Sequence, residues 1–376
     1  MTFIDQVRTW IERWDASDQH RTGTPGDWQT SEWLFQEIST FGARAELSSF
    51  PFVRKSIRKA QLKVGQKQFS GVPMFDGGFT SSRGHMGCLS TTPKKDSILI
   101  LTDATGDSLN QVRRTQDLKG IVVVSNLPAP GLALLNADSF ENPFGPPVLQ
   151  VSSQFRLDLL DAAGSNKSGT LSVVFDDQHT TASNVETKIV GSKPELAPLV
   201  VMTPKSSWYT STAERIGGIV CWLECIRHFV DHQPMRDVVF TANTGHELGH
   251  VGLDRFLASN PCLTTSAFLW VHFGANFGAT DSNIRIQSSL PSHLRTLRSR
   301  LEKHGITIAS EVKSGTRPSG EARNIFDGGG EYVSILGSNR LFHHQDDRFA
   351  VNVDLPRLLR INSAFIECVQ AWSSSV

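Results

Sequence analysis

The sequence predicts an α/β layer fold with a mostly parallel sheet, interrupted by a β-rich module, and three observations predict it. From about residue 199 onward short apolar runs alternate with longer helical patterns, the rhythm of strands joined by crossover helices. Between about residues 52 and 175 the texture changes to short apolar strands broken by Gly, Pro and Asp. The chain has 376 residues, 39% apolar and 20% charged, which suits two or three domains with a sizeable core and excludes a disordered, collagenous or coiled-coil chain.

Taken in order, two amphipathic helices are expected at about Phe3 to Trp14 and Asp27 to Phe41, separated by the turn Gly23-Thr24-Pro25-Gly26 and closed by Gly42. Strands of the module are expected at Ser97 to Leu101, Gly120 to Val124, Pro147 to Val151 and Leu171 to Phe175. Leu199 to Met202 then precedes a helix from Thr212 to Val230, and Asp237 to Ala242 precedes a second helix. Strands at Ala267 to Val271 and Tyr332 to Leu336 follow, and a helix from Leu355 to Trp372 closes the chain. Active sites of such folds gather at the carboxyl ends of the strands.

Lys plus Arg and Asp plus Glu number 37 each, so the formal charge is zero. The electrostatic footprint of a nucleic-acid or acidic-membrane binder is therefore missing, and a small or neutral ligand is expected. The start, Met1-Thr2-Phe3-Ile4-Asp5-Gln6-Val7-Arg8, carries an acid and a base where a signal peptide needs an apolar stretch, and no apolar run of membrane-spanning length occurs. Five cysteines without a CxxC pair read as reduced thiols, with Cys221 and Cys225 on one core-facing side of a helix, so a cytoplasmic location is expected.

His246-Glu247-Leu248-Gly249-His250 is a literal HExxH, which on a regular helix would hold zinc with two imidazoles and use the glutamate as base. Its context differs: a strand and the turn Asn243-Thr244-Gly245 precede it, so His246 begins a loop. The extended zincin pattern also stops, with Leu253 at its glycine and Phe256 at its third histidine.

In another frame, Val238 to Gly252 resembles the strand and Glu-Glu-Leu-Gly loop of the co-catalytic zinc aminopeptidases, a family that also contains glutaminyl cyclases, glutamate carboxypeptidase and the transferrin receptor ectodomain. Arg21 to Gly26 resembles the family's Arg-x-x-Gly-Thr-Pro-Gly, Asn184 to Gly191 its Asn-Val-x-Ala-x-x-x-Gly strand, and Phe342 to Asp347 its Phe-His-Thr-x-x-Asp. The resemblance covers about 240 residues, 1–51 and 183–376, and implies a zinc-exopeptidase-like three-layer sandwich. Residues 52–182 are placed like the protease-associated domain that many members insert.

Carried over residue by residue, the family's metal positions change. Pro204 stands at the histidine and Ser206 at the aspartate of its His-x-Asp, and Gly274 stands at a later acidic ligand. The bridging aspartate becomes Glu214, the general-base glutamate becomes His246, and the next glutamate and last histidine are kept as Glu247 and His343. The resemblance thus implies that one metal half is lost, while Glu214, Glu247 and His343 form an open set suited to one zinc rather than two. His246 could then serve as general base or as a fourth ligand.

Each residue also has a structural reading. Ser211-Thr212-Ala213-Glu214 is a capping box, Glu247 could be a solvated turn carboxylate, and His343 could hydrogen-bond in its polar loop. His250 and His272 read as structural. Two functions follow: a binding module or pseudoenzyme whose peptidase activity is impaired or lost, or a single-zinc hydrolase or acyl-transfer enzyme on a peptide terminus or small amide. The HExxH zincin is the minor alternative. A peptide or small amide is the expected ligand, nucleic acid and membrane are not, and homo-oligomerisation is left open.

Overall fold

A computed structural model describes residues 2–115 and 117–375. Helices α1 (Phe3–Asp15) and α2 (Pro25–Thr40) lead into β1 (Ala45–Val64). Val7, Trp10, Ile11 and Trp14 recur on one side of α1 and are buried, as the helical period requires, and Thr2 with Asp5 closes its start as a capping box. The module follows as β2 (Lys67–Pro73), β3 (His85–Ser90), β4 (Ile98–Leu101), α3 (Gly106–Thr115), β5 (Gly120–Val124), β6 (Val148–Val151) and α4 (Arg156–Gly164), and β7 (Ser168–Ile189) returns from it.

The second half runs β8 (Leu199–Pro204), α5 (Thr212–Asp231), β9 (Val238–Asn243), α6 (Val251–Ser259), α7 (Leu263–Ser266) and β10 (Leu269–Phe273). It continues with β11 (Ile284–Ser288), α8 (Pro291–Lys303), β12 (Ile308–Val312), α9 (Ala322–Asp327), β13 (Tyr332–Leu336), α10 (Phe349–Asn352) and α11 (Leu355–Ser373).

Strands β9, β8, β10 and β13 lie side by side and parallel, β7 joins this sheet antiparallel at β9, and β11 joins antiparallel at β13 with β12 parallel beyond it. The sheet is buried on both faces, so its strands read as continuous apolar runs. Alternate residues of β8 show why: Leu199 and Val201 face a core with Trp222, Phe240 and Phe365, whereas Val200 and Met202 face a core with Trp270, Ile325 and Tyr332. This gives three layers of helix, sheet and helix around a mostly parallel sheet.

The module has its own core of Leu62, Ile98, Val122, Leu149 and Leu171. Its parallel strands β3 to β6 are closed by β2, β1 and β7, because β1 pairs along its length with β7 from Ala45↔Thr187 to Lys63↔Thr170. The boundaries expected near 52 and 182 fall inside this two-stranded ribbon, where Phe52 pairs with Thr180. A third apolar cluster, including Phe52, Phe75, Leu134, Phe140, Trp208 and Leu248, packs the module against the sheet's carboxyl end.

Candidate functional site

The parallel strands deliver Pro204, Asn243, Phe273 and Leu336 to one end of the sheet, and every candidate residue lies there. Glu214 sits in the first turn of α5 and is buried. The helix start is not closed by the expected capping box: Ser211 is left-handed at φ 47° and makes no side-chain cap bond. Asp347 takes that role, accepting from the backbone N–H groups of Ala213 (3.3 Å) and Glu214 (3.0 Å) and from the amide of Asn352 (2.8 Å). Burial is the main reason its carboxyl is pushed up to about 7, against the opposing hydrogen bond from Asn352.

The Glu214 side chain is therefore free to point into the site, where two groups meet it. An Arg215 Nη lies 2.6 Å from its Oε1 and the His343 Nε2 lies 3.3 Å from the same oxygen, both ion-pair contacts short of hydrogen-bond geometry. Burial alone would raise the Glu214 carboxyl, but Arg215 first and His343 next hold it below the usual glutamate value. His343, left-handed at φ 58°, is oriented by its Nδ1, which donates to the Leu134 carbonyl at 2.6 Å. Leu134 belongs to the module.

Arg215 is not among the candidates read from the sequence. It is fully buried, and its Nε donates to the Ser206 carbonyl at 2.8 Å. Its charge also depresses the pKa of His246, His250 and His272 and opposes the rise of Glu321, so the guanidinium stands between the two sides of the site.

Glu247 is turned elsewhere. Its Oε1 accepts from the Thr22 N–H and hydroxyl, both at 2.8 Å, and its Oε2 accepts from the Ser206 hydroxyl at 2.6 Å. Arg21 to Gly26 has a physical role here: Thr22 holds Glu247, Gly23 N–H donates to Asp27, and Thr24 caps α2 ahead of Pro25. Asp27 in turn pairs with buried Lys205 at 2.6 Å. Ser206 thus stands in a hydrogen-bond network, with its hydroxyl also accepting from the His246 N–H at 3.1 Å.

Pro204 ends β8 and offers no donor atom to a metal. At Gly274 an added Cβ would lie 2.6 Å from Leu336 Cδ2 and 2.9 Å from the Ile335 carbonyl oxygen, so no acidic side chain fits without moving β13.

His246 to Leu248 forms a single 3₁₀ turn rather than the start of a regular helix, and Gly249 (φ 85°) and His250 (φ 70°) are both left-handed. This breaks the register that an HExxH zincin needs, and the rings of His246 and His250 stack with centroids 4.9 Å apart. His246 Nδ1 faces Glu321 Oε1 at 3.5 Å, while His250 Nδ1 pairs with Asn324 at 2.7 Å and His272 Nδ1 with Ser334 at 2.8 Å. Burial, more than any charge, lowers all three histidines, His250 and His272 to about 3. Burial likewise raises Glu321 to about 8, opposed by its hydrogen bond from Asn243. His246, His250 and His272 line a cavity of about 340 Å³ with Arg285, Arg323 and Gly274.

A zinc ion needs three protein donors facing one centre. Glu214 and His343 offer one edge, but Glu247 already accepts three hydrogen bonds and the Arg215 guanidinium brings its own positive charge against Glu214. Among the described residues no group of three or more His, Cys, Asp or Glu side chains is arranged to hold a metal ion. These residues, as placed, do not fit the family's zinc.

No protein-family model matches the chain. A stretch of 82 residues is 35% identical to a vacuolar membrane protease of Lachancea thermotolerans, taking in 20% of this chain and 8% of that protein. Among the described residues no helix is long and apolar enough to cross a membrane. Solved structures align over nearly the whole chain. A zinc aminopeptidase from Bacillus subtilis matches with a TM-score of 0.79 and 13% identity, covering 97% of this chain and 94% of that one. An aminopeptidase from Aneurinibacillus sp. strain AM-1 matches at 0.73 and 12%, covering 98% and 93%. A peptidase M28 precursor from Shewanella amazonensis matches at 0.69 and 14%, covering 99% and 93%. The chain therefore has the fold of the co-catalytic zinc aminopeptidases.

Proposed function

We propose that this protein is an aminopeptidase-like binding module that has lost metal-dependent peptidase activity. The observation that carries the reading is the buried contact between Glu214 and Arg215, in which a guanidinium supplies the positive charge beside the bridging carboxylate. The satisfied oxygens of Glu247 and the blocked position at Gly274 support it. Its five cysteines are free, three of them buried, which supports a reducing compartment such as the cytoplasm.

One observation favours a second reading, a single-zinc hydrolase or acyl-transfer enzyme acting on a peptide terminus or small amide. His343 donates through Nδ1 to a carbonyl, and in a neutral imidazole so bonded the Nε2 lone pair faces Glu214, an orientation typical of histidine ligands. Metal content separates the two. Protein purified without chelator should carry close to zero equivalents of zinc by plasma mass spectrometry. One equivalent, removed by Glu247→Ala, would establish the single-zinc reading instead, and two equivalents would overturn the account of Pro204, Ser206 and Gly274.

A further inference from the structure

We infer that the cavity beside His272 binds a small carboxylate-bearing ligand, of about amino-acid to dipeptide size, through Arg285 and His272. The inference deepens the binding-module reading by naming a ligand class. It rests on two groups that the fold leaves unanswered.

Arg285 projects from β11 into the cavity and is half-buried. Among the described residues it has no ion pair, side-chain hydrogen bond or ring contact, whereas the neighbouring Arg323 is paired with Asp138 at 3.1 Å. His272 is fully buried on β10, its Nδ1 is taken by Ser334, and its Nε2 has no partner. A buried polar nitrogen without a partner costs free energy that a bound group can recover. The ring is held between Gly274 and Gly320, where added Cβ atoms would lie 3.0 and 3.1 Å from its Cε1, so it cannot swing away to find another partner.

Charge selects the sign of the ligand. Asp138 is neutralised by Arg323, and Glu214 by Arg215 deeper in the site, so the unmatched charge lining the cavity is that of Arg285. A cation such as a free peptide amino group would be repelled. A planar carboxylate matches the guanidinium fork with two parallel hydrogen bonds and leaves the His272 Nε2 as a further donor when Ser334 donates to Nδ1. The volume of about 340 Å³ is at the small end of ligand pockets, enough for one or two amino-acid units.

The test is titration calorimetry of the full chain with N-acetyl-alanyl-alanine, its C-terminal amide and inorganic phosphate, each with and without chelator. The acid should bind and the amide should not, and Arg285→Gln should weaken the acid by roughly 10- to 100-fold, the loss of a charge-assisted bidentate contact. Arg285→Lys should fall between them, because it keeps the charge and loses the fork. In ¹⁵N-histidine spectra the His272 Nε2 resonance should move on adding the acid, a readout independent of any variant's stability. No binding of the acid up to about 10 mM, well beyond the affinity expected of a charged anchor, would overturn the inference. So would equal binding of acid and amide, an unaffected Arg285→Gln, or tighter binding of phosphate than of the acid. Zinc found in the same preparation would sink the metal-free reading alone, since binding in chelator is measured separately.

Discussion

Arg215 is the residue on which the chemistry of the site turns. Its guanidinium compensates a carboxylate that is itself fully buried, and removing one partner of such a pair leaves an uncompensated charge. Arg215→Ala should therefore lower stability by about 3–5 kcal/mol in urea unfolding, with Arg215→Lys losing less. A change within experimental error would show that Glu214 is balanced by something else. The sequence held a usable signal for this residue. Arg215 is followed by Ile216-Gly217-Gly218-Ile219-Val220-Cys221-Trp222, a stretch with no polar face, so an arginine beside it must be buried and must find an acid. Glu321 and Asp347 gave weaker signals, because their high carboxyl pKa values come from burial by distant segments. The literal HExxH, by contrast, was visible and its preceding turn marked it as a loop, and two left-handed residues place its imidazoles in a stack rather than on one face of a helix.

At the scale of the element, the first turn of α5 and the segment after β13 act as one unit. Asp347 closes the helix that carries Glu214, and the same segment presents His343 to it. Asp347→Ala should cost at least about 1–2 kcal/mol, whereas Ser211→Ala should stay within about 0.5 kcal/mol. Chemical denaturation of the two variants checks the assignment, and a larger loss for Ser211 would restore the capping box. Elements with continuous apolar runs, such as β4, β5, β8, β9 and β13, were legible from sequence because both their faces are covered. Strand β12 was not: Ile308-Ala309-Ser310-Glu311-Val312 lies at the sheet edge with its middle residues exposed, so no apolar run marks it.

For the whole molecule, the buried titratable groups set the pH range of stability. His20, His250 and His272 are lowered from 6.5 to about 3, so the unfolded chain binds protons that the native state refuses. Their contribution is complete above pH 6.5 and is lost progressively toward about pH 3. Glu321 and Asp347 have the opposite sign: raised to about 8 and about 7, they favour the native state at low pH and lose that contribution as pH rises. Between about pH 4.5 and 6.5 the histidines outnumber them, so stability should peak near pH 6.5, fall toward acid, most steeply below about pH 4.5, and decline between about pH 6.5 and 8. Urea midpoints across this range should show that profile, and Glu321→Gln should flatten the alkaline side and steepen the rise between about pH 4.5 and 6.5, where Glu321 opposes the histidines. An unchanged alkaline slope in that variant would remove Glu321 from the account. The general architecture was legible because strand and helix periods alternate along the chain. The site was only half legible, because its partners arrive from segments hundreds of residues apart.

The module's loop before β6 ties those segments together. Leu134 accepts from the His343 ring and its N–H donates to the His343 carbonyl, while the Ala137 N–H donates to the carbonyl of Glu247. Asn136 binds the Trp208 indole, and Asn136 and Asp138 form part of the cavity wall. A shortened chain lacking residues 52–182 would thus be no minimal version of this protein. It would expose the apolar faces of Trp208 and Leu248 and release the imidazole of His343 from its hydrogen bond to the Leu134 carbonyl, so whatever the pocket holds, it holds with walls borrowed from both halves.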